Sequence, residues 1–352
     1  MLHRHIVGWS LLEDIVVVED LRKTYGKDIL AVDGISFRVQ SGEIFGFLGP
    51  NGAGKSTTIK ILTTLLEKTS GKATIAGLDV DADQAAVRRI IGYCSQDVGV
   101  DDDLTARENL MLQCSFHHIP KDKAKKKTEE LLQKLRLTEA ADRRLKTFSG
   151  GMRKRLDLAS SLVSDPKILF LDEPTTGLDP QSRQDVWNYV KQLNKQAMTI
   201  FLTTQYMEEA DRLADRLCIV DQGKIVAEGT PSELKARVGA DKITLWFKPD
   251  DLASCEKAAK ALSNLKGVNE IGKCVEGLTT QEGLTLMTSN GSAVVTQVVR
   301  ALDEANIAVA QLKLSVPTLD EAFLKLTGKT LNVIERKEAV RTASFGGKRR
   351  SP

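Results

Sequence analysis

Short apolar runs broken by glycine and charge open the chain: Ile15–Val18 within the stretch to Leu21, then Ile35–Val39, then Glu43–Leu48 as E-I-F-G-F-L. Runs of this length without helical spacing predict three strands, over 15–21, 35–39 and 43–48. A helix is expected next, over 57–66. Between Leu104 and Leu145 the texture turns rich in Lys, Glu, Leu and Ala, with apolar positions such as Leu131, Leu132, Leu135 and Leu137 at helical spacing. The run Lys121–Lys127, K-D-K-A-K-K-K, heads one of these helices and reads as its solvated face. From Ile168 to Val226 apolar strands, among them Ile168–Asp172 and Thr199–Thr203, alternate with helical stretches, the βαβ pattern of a parallel sheet.

A break falls at A-R-V-G-A-D, Ala236–Asp241, and a new strand-like run begins at Ile243. The fold class is therefore α/β, a doubly wound core over 15–236, followed by a small α+β domain over 241–328. Residues 1–14 read as a frayed extension, and the basic, glycine-containing stretch 329–352 reads as a poorly ordered tail. A length of 352 residues suits two domains. No run approaches the roughly 18 apolar residues of a spanning helix. The opening M-L-H-R-H-I-V-G-W-S-L-L lacks the apolar centre and cleavage site of a signal peptide. A net charge of +3 is too small to argue for nucleic acid as a partner. Five cysteines (Cys94, Cys114, Cys218, Cys255, Cys274) form no C-x-x-C pair and suit a reducing cytosol as small buried hydrophobes.

Chemistry enters between the third strand and the helix after it. Gly49, Pro50, Asn51, Gly52, Ala53, Gly54, Lys55, Ser56 and Thr57 match the phosphate-loop pattern G-x-x-x-x-G-K-[ST]. Glycines let successive backbone N–H groups turn inward around a phosphate, at a helix N-terminus that favours negative charge. Lys55 is expected to reach the β- and γ-phosphates of a bound nucleoside triphosphate, and Ser56 to ligate Mg²⁺. A second motif is the apolar strand Ile168–Asp172 with Glu173 directly after it. A buried strand ending in Asp brings a carboxylate to the sheet edge near Mg²⁺. Glu173 is the candidate general base that polarises a water for attack on the γ-phosphate. Shortly before, Ser149, Gly150 and Gly151 open a helix with a hydroxyl and two glycines, again a phosphate-site arrangement.

With these pieces in order, the chain resembles the ATPase subunit of ABC transporters over roughly Ile15–Ala236: G-P-N-G-A-G-K-S-T, then Gln96, then S-G-G-M-R-K-R, then L-D-E-P-T-T-G-L-D-P. The resemblance implies a mixed-sheet core with a helical subdomain at about 97–146, and a head-to-tail dimer, here a homodimer, enclosing two ATP with Mg²⁺. Ser149, Gly150 and Gly151 would act on the ATP held by the other protomer. It further implies that Gln96 is a Mg²⁺ and water contact that also feels the membrane partner. Asp179 would cross the dimer interface, and Tyr25, 24 residues before Gly49, would stack on adenine. Two positions depart from the family pattern. The signature is Phe148-Ser149-Gly150-Gly151-Met152 where the family usually ends in Gln, and Gln205 follows the strand Thr199–Thr203 where the family usually has His. Gln cannot titrate, which leaves Glu173 as the main base with Gln205 and Lys55 beside it.

T-T-Q-Y-M-E-E-A-D-R-L-A-D-R, together with V-P-T-L-D-E-A-F-L-K-L-T-G at Val316–Gly328, is similar to the daunorubicin-resistance type of ABC exporter ATPase. That resemblance implies an ATPase at the cytoplasmic face of the membrane. It would drive efflux of a hydrophobic compound, drug-like or lipid, through a separate permease. The segment 96–146 would dock on that permease, and 242–328 would stabilise the dimer or regulate it. A soluble ABC-type ATPase in translation or DNA maintenance is the other reading. Only about 95 residues separate Lys55 from Ser149, with no sustained heptads, and there is one phosphate loop. A GTPase would need an N-K-x-D base-reading motif, and here Asn194-Lys195 continues as Gln196-Ala197.

Overall fold

The structure, a computed structural model, describes residues 13–26, 28–97, 99–247, 252–263, 265–275 and 282–328. The expectations for the extension before residue 13 and for the tail after 328 lie outside the described residues. The described chain forms two compact units, one up to Pro231 and one over Ser232–Gly328. This division falls ahead of the sequence break at 236–241.

In the first unit the elements run β1 (Asp14–Tyr25), β2 (Ile29–Gln40), β3 (Ile44–Leu48), α1 (Lys55–Leu62), β4 (Ser70–Ile75), β5 (Leu78–Asp79), α2 (Gln84–Ile90) and β6 (Ile91–Cys94). They continue with α3 (Ala106–Phe116), α4 (Lys121–Lys134), α5 (Gly150–Ser161), β7 (Ile168–Asp172), α6 (Pro180–Asn194), β8 (Thr199–Thr204), α7 (Met207–Leu213), β9 (Arg216–Asp221) and β10 (Lys224–Gly229). One sheet has the order β10-β9-β3-β8-β7-β6, parallel except for β10. The other, β2-β1-β4-β5, is antiparallel.

The core is α/β with a mixed sheet, as the resemblance implies, and its two faces are covered differently. One face carries helices. Ile44, Leu169, Leu171, Ile200 and Leu202 pack there with residues of α3, α4, α5 and α6. The other face meets α1 and the antiparallel sheet. Phe45, Phe47, Ile168, Phe170 and Phe201 pack with Val16, Val18, Ile35, Phe37 and Ile59. Phe37 of β2 sits 5.5 Å from the Phe45 ring and 5.4 Å from Phe47, within the range of favourable aromatic pairs. Burial on both faces explains why β3 and β7 read as unbroken apolar runs rather than alternating ones.

The first two strands are longer than their apolar stretches because they pair with each other through polar residues. Arg22 lies opposite Asp33 and forms an ion pair with it. The helix expected over 57–66 starts at Lys55 and stops at Leu62. There Thr63 turns its hydroxyl back to the Ile59 carbonyl at 2.8 Å, and Thr64 adopts φ +61. Helix α4 buries Ala124, Thr128, Leu131 and Leu132 and turns Lys121, Lys123, Lys125 and Lys126 to solvent, as the spacing predicts.

The second unit contains α8 (Pro231–Ala236), β11 (Asp241–Trp246), α9 (Leu252–Leu262), β12 (Val268–Val275), β13 (Glu282–Thr288), α10 (Gly291–Glu304), β14 (Gln311–Ser315) and α11 (Leu319–Thr327). Its antiparallel sheet, β12-β13-β11-β14, buries Ile243, Leu245, Leu284 and Leu286 against Ala258, Leu262, Val294 and Val298 of α9 and α10. Thr318 and Glu321 cap α11 reciprocally, and Lys325 donates to the carbonyls of Arg237 and Val238 at 2.9 and 3.0 Å.

Candidate nucleotide-binding and hydrolytic site

Parallel pairing aligns the carboxyl ends of β3, β8, β7 and β6 at one edge of the sheet, where ligands of open α/β sheets gather. Leu48 lies opposite Thr204, Asp172 opposite Thr203, and Cys94 opposite Leu171. Residues following these strand ends, Gly49, Gln205, Glu173 and Ser95, therefore share that edge. Gly49 N–H donates to the Thr204 carbonyl at 3.2 Å, tying the start of the phosphate loop to β8. At the loop's end Gly54 takes φ +99, and a Cβ there would collide with the Ala31 carbonyl oxygen. Only glycine meets both demands, and α1 starts at the next residue.

Four predicted side chains are in contact. Lys55 is 4% exposed; its ammonium donates to the carbonyls of Gly49 and Pro50 at 2.9 and 3.0 Å and lies 3.0 Å from Glu173 Oε1. Ser56 Oγ donates to Asp172 Oδ1 at 3.2 Å. The same carboxylate oxygen accepts from Thr203 Oγ1 at 2.6 Å. Glu173 is in the left-handed region, φ +48, a strained conformation for a residue with a side chain. Its N–H donates to both the carbonyl and the hydroxyl of Thr203, each at 3.1 Å, and its Oε2 accepts from Thr176 Oγ1 at 3.2 Å. These bonds hold the reversal that turns the carboxylate toward Lys55. Burial, followed by the charge of Asp172, pushes the phenol of Tyr93 on β6 upward, so it stays protonated.

Gln205 follows β8 immediately and is half-buried; Gln96 lies two residues after β6 and is exposed. Tyr25 ends β1 with 40% exposure, its ring 5.3 Å from the Lys23 ammonium. The S-G-G turn forms a second grouping. Ser149 caps α5, accepting from Met152 N–H at 3.3 Å, and Asp179 caps α6, accepting from Ser182 N–H at 3.0 Å. Gly151 packs so closely on Ser182 that a Cβ would collide with its hydroxyl. The two caps are thereby neighbours in one protomer.

Three features escaped the motif reading. Thr203 is the residue that joins Asp172 to the backbone of Glu173, yet in the sequence it is only a strand end. Glu209 on α7 is fully buried and accepts from Thr175 Oγ1 at 2.7 Å and Trp187 Nε1 at 2.8 Å. Burial raises its carboxyl above the usual range despite those bonds. Cys94 is buried and free, as expected, but its Sγ lies 2.9 Å from Asp157 Oδ2, so it is more than a small hydrophobe. The signal for Asp157 was present: Lys154 and Asp157, three apart, fall on the apolar side of a helix.

With this geometry in hand, comparison with known proteins gives a consistent result. The ABC transporter family profile matches residues 32–176. The daunorubicin resistance ATP-binding protein DrrA3 of Streptomyces coeruleorubidus is 42% identical over 325 residues, 92% of this chain and 99% of that one. The doxorubicin resistance ATP-binding protein DrrA of Mycobacterium tuberculosis is 44% identical over 313 residues, 89% of this chain and 93% of that one. Among solved structures, the ATP-binding cassette MJ0796, a dimer in a post-hydrolysis state with ADP and Pi, aligns with a TM-score of 0.56 at 27% identity. That alignment covers 61% of this chain and 98% of the cassette.

Proposed function

The chain belongs to the ABC transporter family as an ATP-binding and ATP-hydrolysing exporter subunit, and from that premise we propose that it powers efflux of a hydrophobic, drug-like or lipid compound through a separate membrane-spanning permease. Subunits of this family dimerise and work with permeases; no helix among the described residues is long and apolar enough to cross a membrane. The proposed place is the cytoplasmic face of the membrane, as a homodimer. The observation that carries the reading is the contact of Lys55 and Ser56, from the phosphate loop, with Glu173 and Asp172, from the end of β7.

In the proposed cycle, backbone N–H groups of Gly49–Thr57 and the N-terminus of α1 hold the β-phosphate, and Lys55 binds the β- and γ-phosphate oxygens. Tyr25 stacks on the adenine. Arrival of phosphate gives the ammonium a new anionic partner, so Oε1 of Glu173 becomes available to accept a proton from the attacking water. Gln205 hydrogen-bonds that water or the γ-phosphate. Ser149, Gly150 and Gly151 of the partner protomer close over the nucleotide, with Asp179 beside them at the interface.

The donor set suits Mg²⁺. One hydroxyl, Ser56, and one carboxylate, Asp172, are brought together, with Gln96 at the same edge, and no cluster of three or more His, Cys, Asp or Glu exists among the described residues. Mg²⁺ is usually held in this way, by few protein oxygens with phosphate and water completing the shell. When bound it would neutralise charge developing on the phosphates.

For the permease, the proposed contact is the groove lined by Tyr93, Ser95, Gly99, Gln113, His117 and Ser161, about 290 Å³, next to Gln96. The second unit would stabilise the dimer or regulate it. Compounds of the daunorubicin and doxorubicin type, anthracyclines, are the proposed substrate class, because those two drugs appear in the names of the relatives.

The test is a pulldown from detergent-solubilised membranes with tagged Glu173→Gln protein, ATP and Mg²⁺. The expected result is recovery of a polytopic membrane protein. Cells producing both proteins should then accumulate less anthracycline than cells with the inactive ATPase. Recovery of ribosomes or DNA in its place would overturn the permease reading, and equal accumulation would overturn the drug reading.

Gln205→His checks the switch position separately. Gln does not titrate, whereas imidazole does so near pH 6.5. The variant's turnover should acquire a pH limb between about 5.5 and 7.5 that the parent lacks. A profile identical to the parent's would show that Gln205 does not face the reacting centre.

A further inference from the structure

Helix α5 begins at the S-G-G turn, and one and a half turns later it carries two charges on its buried side. Lys154 and Asp157 have side chains only 5% and 8% exposed. Charges so placed need close partners, and theirs come from a single stretch of chain. Lys154 Nζ donates to the Ser95 carbonyl at 2.6 Å and lies 3.3 Å from Asp157 Oδ2. Asp157 Oδ1 accepts from Gly99 N–H at 3.2 Å, and its Oδ2 accepts from Cys94 Sγ at 2.9 Å. Burial opposes charge on Lys154, while the Asp157 carboxylate beside it favours the ammonium.

The stretch held in this way is short. Ser95 and Gly99 bracket Gln96, and among the described residues no helix or strand element lies between the end of β6 at Cys94 and the start of α3 at Ala106. Gln96 is itself exposed, so its position follows from its anchored neighbours. The anchor points lie about 8–12 Å along α5 from Ser149, at 1.5 Å of rise per residue. One helix therefore links the turn proposed to meet the partner's nucleotide with the backbone on either side of Gln96.

We infer that Lys154 and Asp157 are positioning residues, a buried clamp that makes the placement of Gln96 follow that of the S-G-G turn. The inference rests on the proposed roles of Gln96 and the S-G-G turn. Closure of the turn on the partner's ATP carries α5 as a rigid body, and the clamped segment brings Gln96 along. Without the clamp, Gln96 reaches its place independently of closure, and a smaller share of closed dimers is competent.

The test replaces both charges together, Lys154→Met with Asp157→Leu, so that neither is stranded. Apolar replacement of a buried ion pair at similar volume commonly leaves a fold intact. Nucleotide affinity should stay within about twofold of the parent, while kcat falls about tenfold. Adding Gln96→Ala should lower kcat no further than Gln96→Ala does alone, because groups acting through one another are not additive. Parental kcat, or losses that multiply, would overturn the clamp. A measurement on the unaltered protein gives a second check. Hydrogen exchange at 95–99 and at the S-G-G turn should slow together when ATP is added, and slowing of one without the other would also overturn it. Equal turnover by the parent and by Glu173→Gln is the separate result that would remove the site reading beneath it.

Discussion

Glu173→Gln protein should bind ATP with near-parental affinity and hydrolyse it at least about 100-fold more slowly, the usual contribution of a general base. The substitution keeps the shape of the side chain and an oxygen able to accept from Lys55 or from Thr176, which lie 3.0 and 3.2 Å from the carboxylate. The backbone reversal at φ +48 is held through main-chain bonds to Thr203, which the substitution does not touch. At the reacting centre the negative charge is lost, and with it the capacity to take a proton. The loss should therefore fall on kcat with KM little changed, and ATP should trap a dimer that persists through size-exclusion chromatography. Single-turnover hydrolysis beside equilibrium nucleotide binding decides the point. Parental turnover would show that another group is the base.

Lys55→Ala should lose both ligand and stability, for separable reasons. Two charge-assisted bonds to phosphate contribute about 1.5–3 kcal/mol each, so nucleotide affinity should fall by at least about 100-fold. In the protein alone, the substitution leaves the Gly49 and Pro50 carbonyls and a carboxylate 5% exposed without their cation. Breaking a buried pair by removing one partner costs about 3–5 kcal/mol, enough to lower the melting temperature of the first unit by about 10 °C. Adding Glu173→Gln to Lys55→Ala should restore part of that stability and none of the affinity. Calorimetry of the three proteins with and without nucleotide reads both effects. An unchanged melting temperature in Lys55→Ala would mean that the buried pair contributes nothing to the fold.

Much of this site is legible in the chain because its chemistry is local. A phosphate loop is a contiguous backbone device: the residues from Gly49 to Thr57 carry the turn, the donors and the first turn of the helix in one stretch. Caps are local too, which is why Ser149 stands where a helix was expected to begin. The unbroken apolar runs of β3 and β7 announced burial on both faces. They could not say what covers each face: helices on one, α1 and the antiparallel sheet with Phe37 on the other.

By itself, then, the sequence marked which segments are expected to bind phosphate, which strand ends in a carboxylate pair and that a helix opens at the S-G-G turn. Only the tertiary structure decided which of these pieces meet. Ser56 and Asp172 are 116 positions apart, and Thr203 and Asp172 are 31 apart. They touch because β8 lies between β3 and β7 in a parallel order that no periodicity encodes. The clamp on Gln96 likewise joins Lys154 to Ser95 across 59 positions. The physical reason is the same in each case. Hydrophobic spacing states how deeply a residue is buried and on which face. Strand order and register, which set its neighbours, emerge only when all the segments pack together.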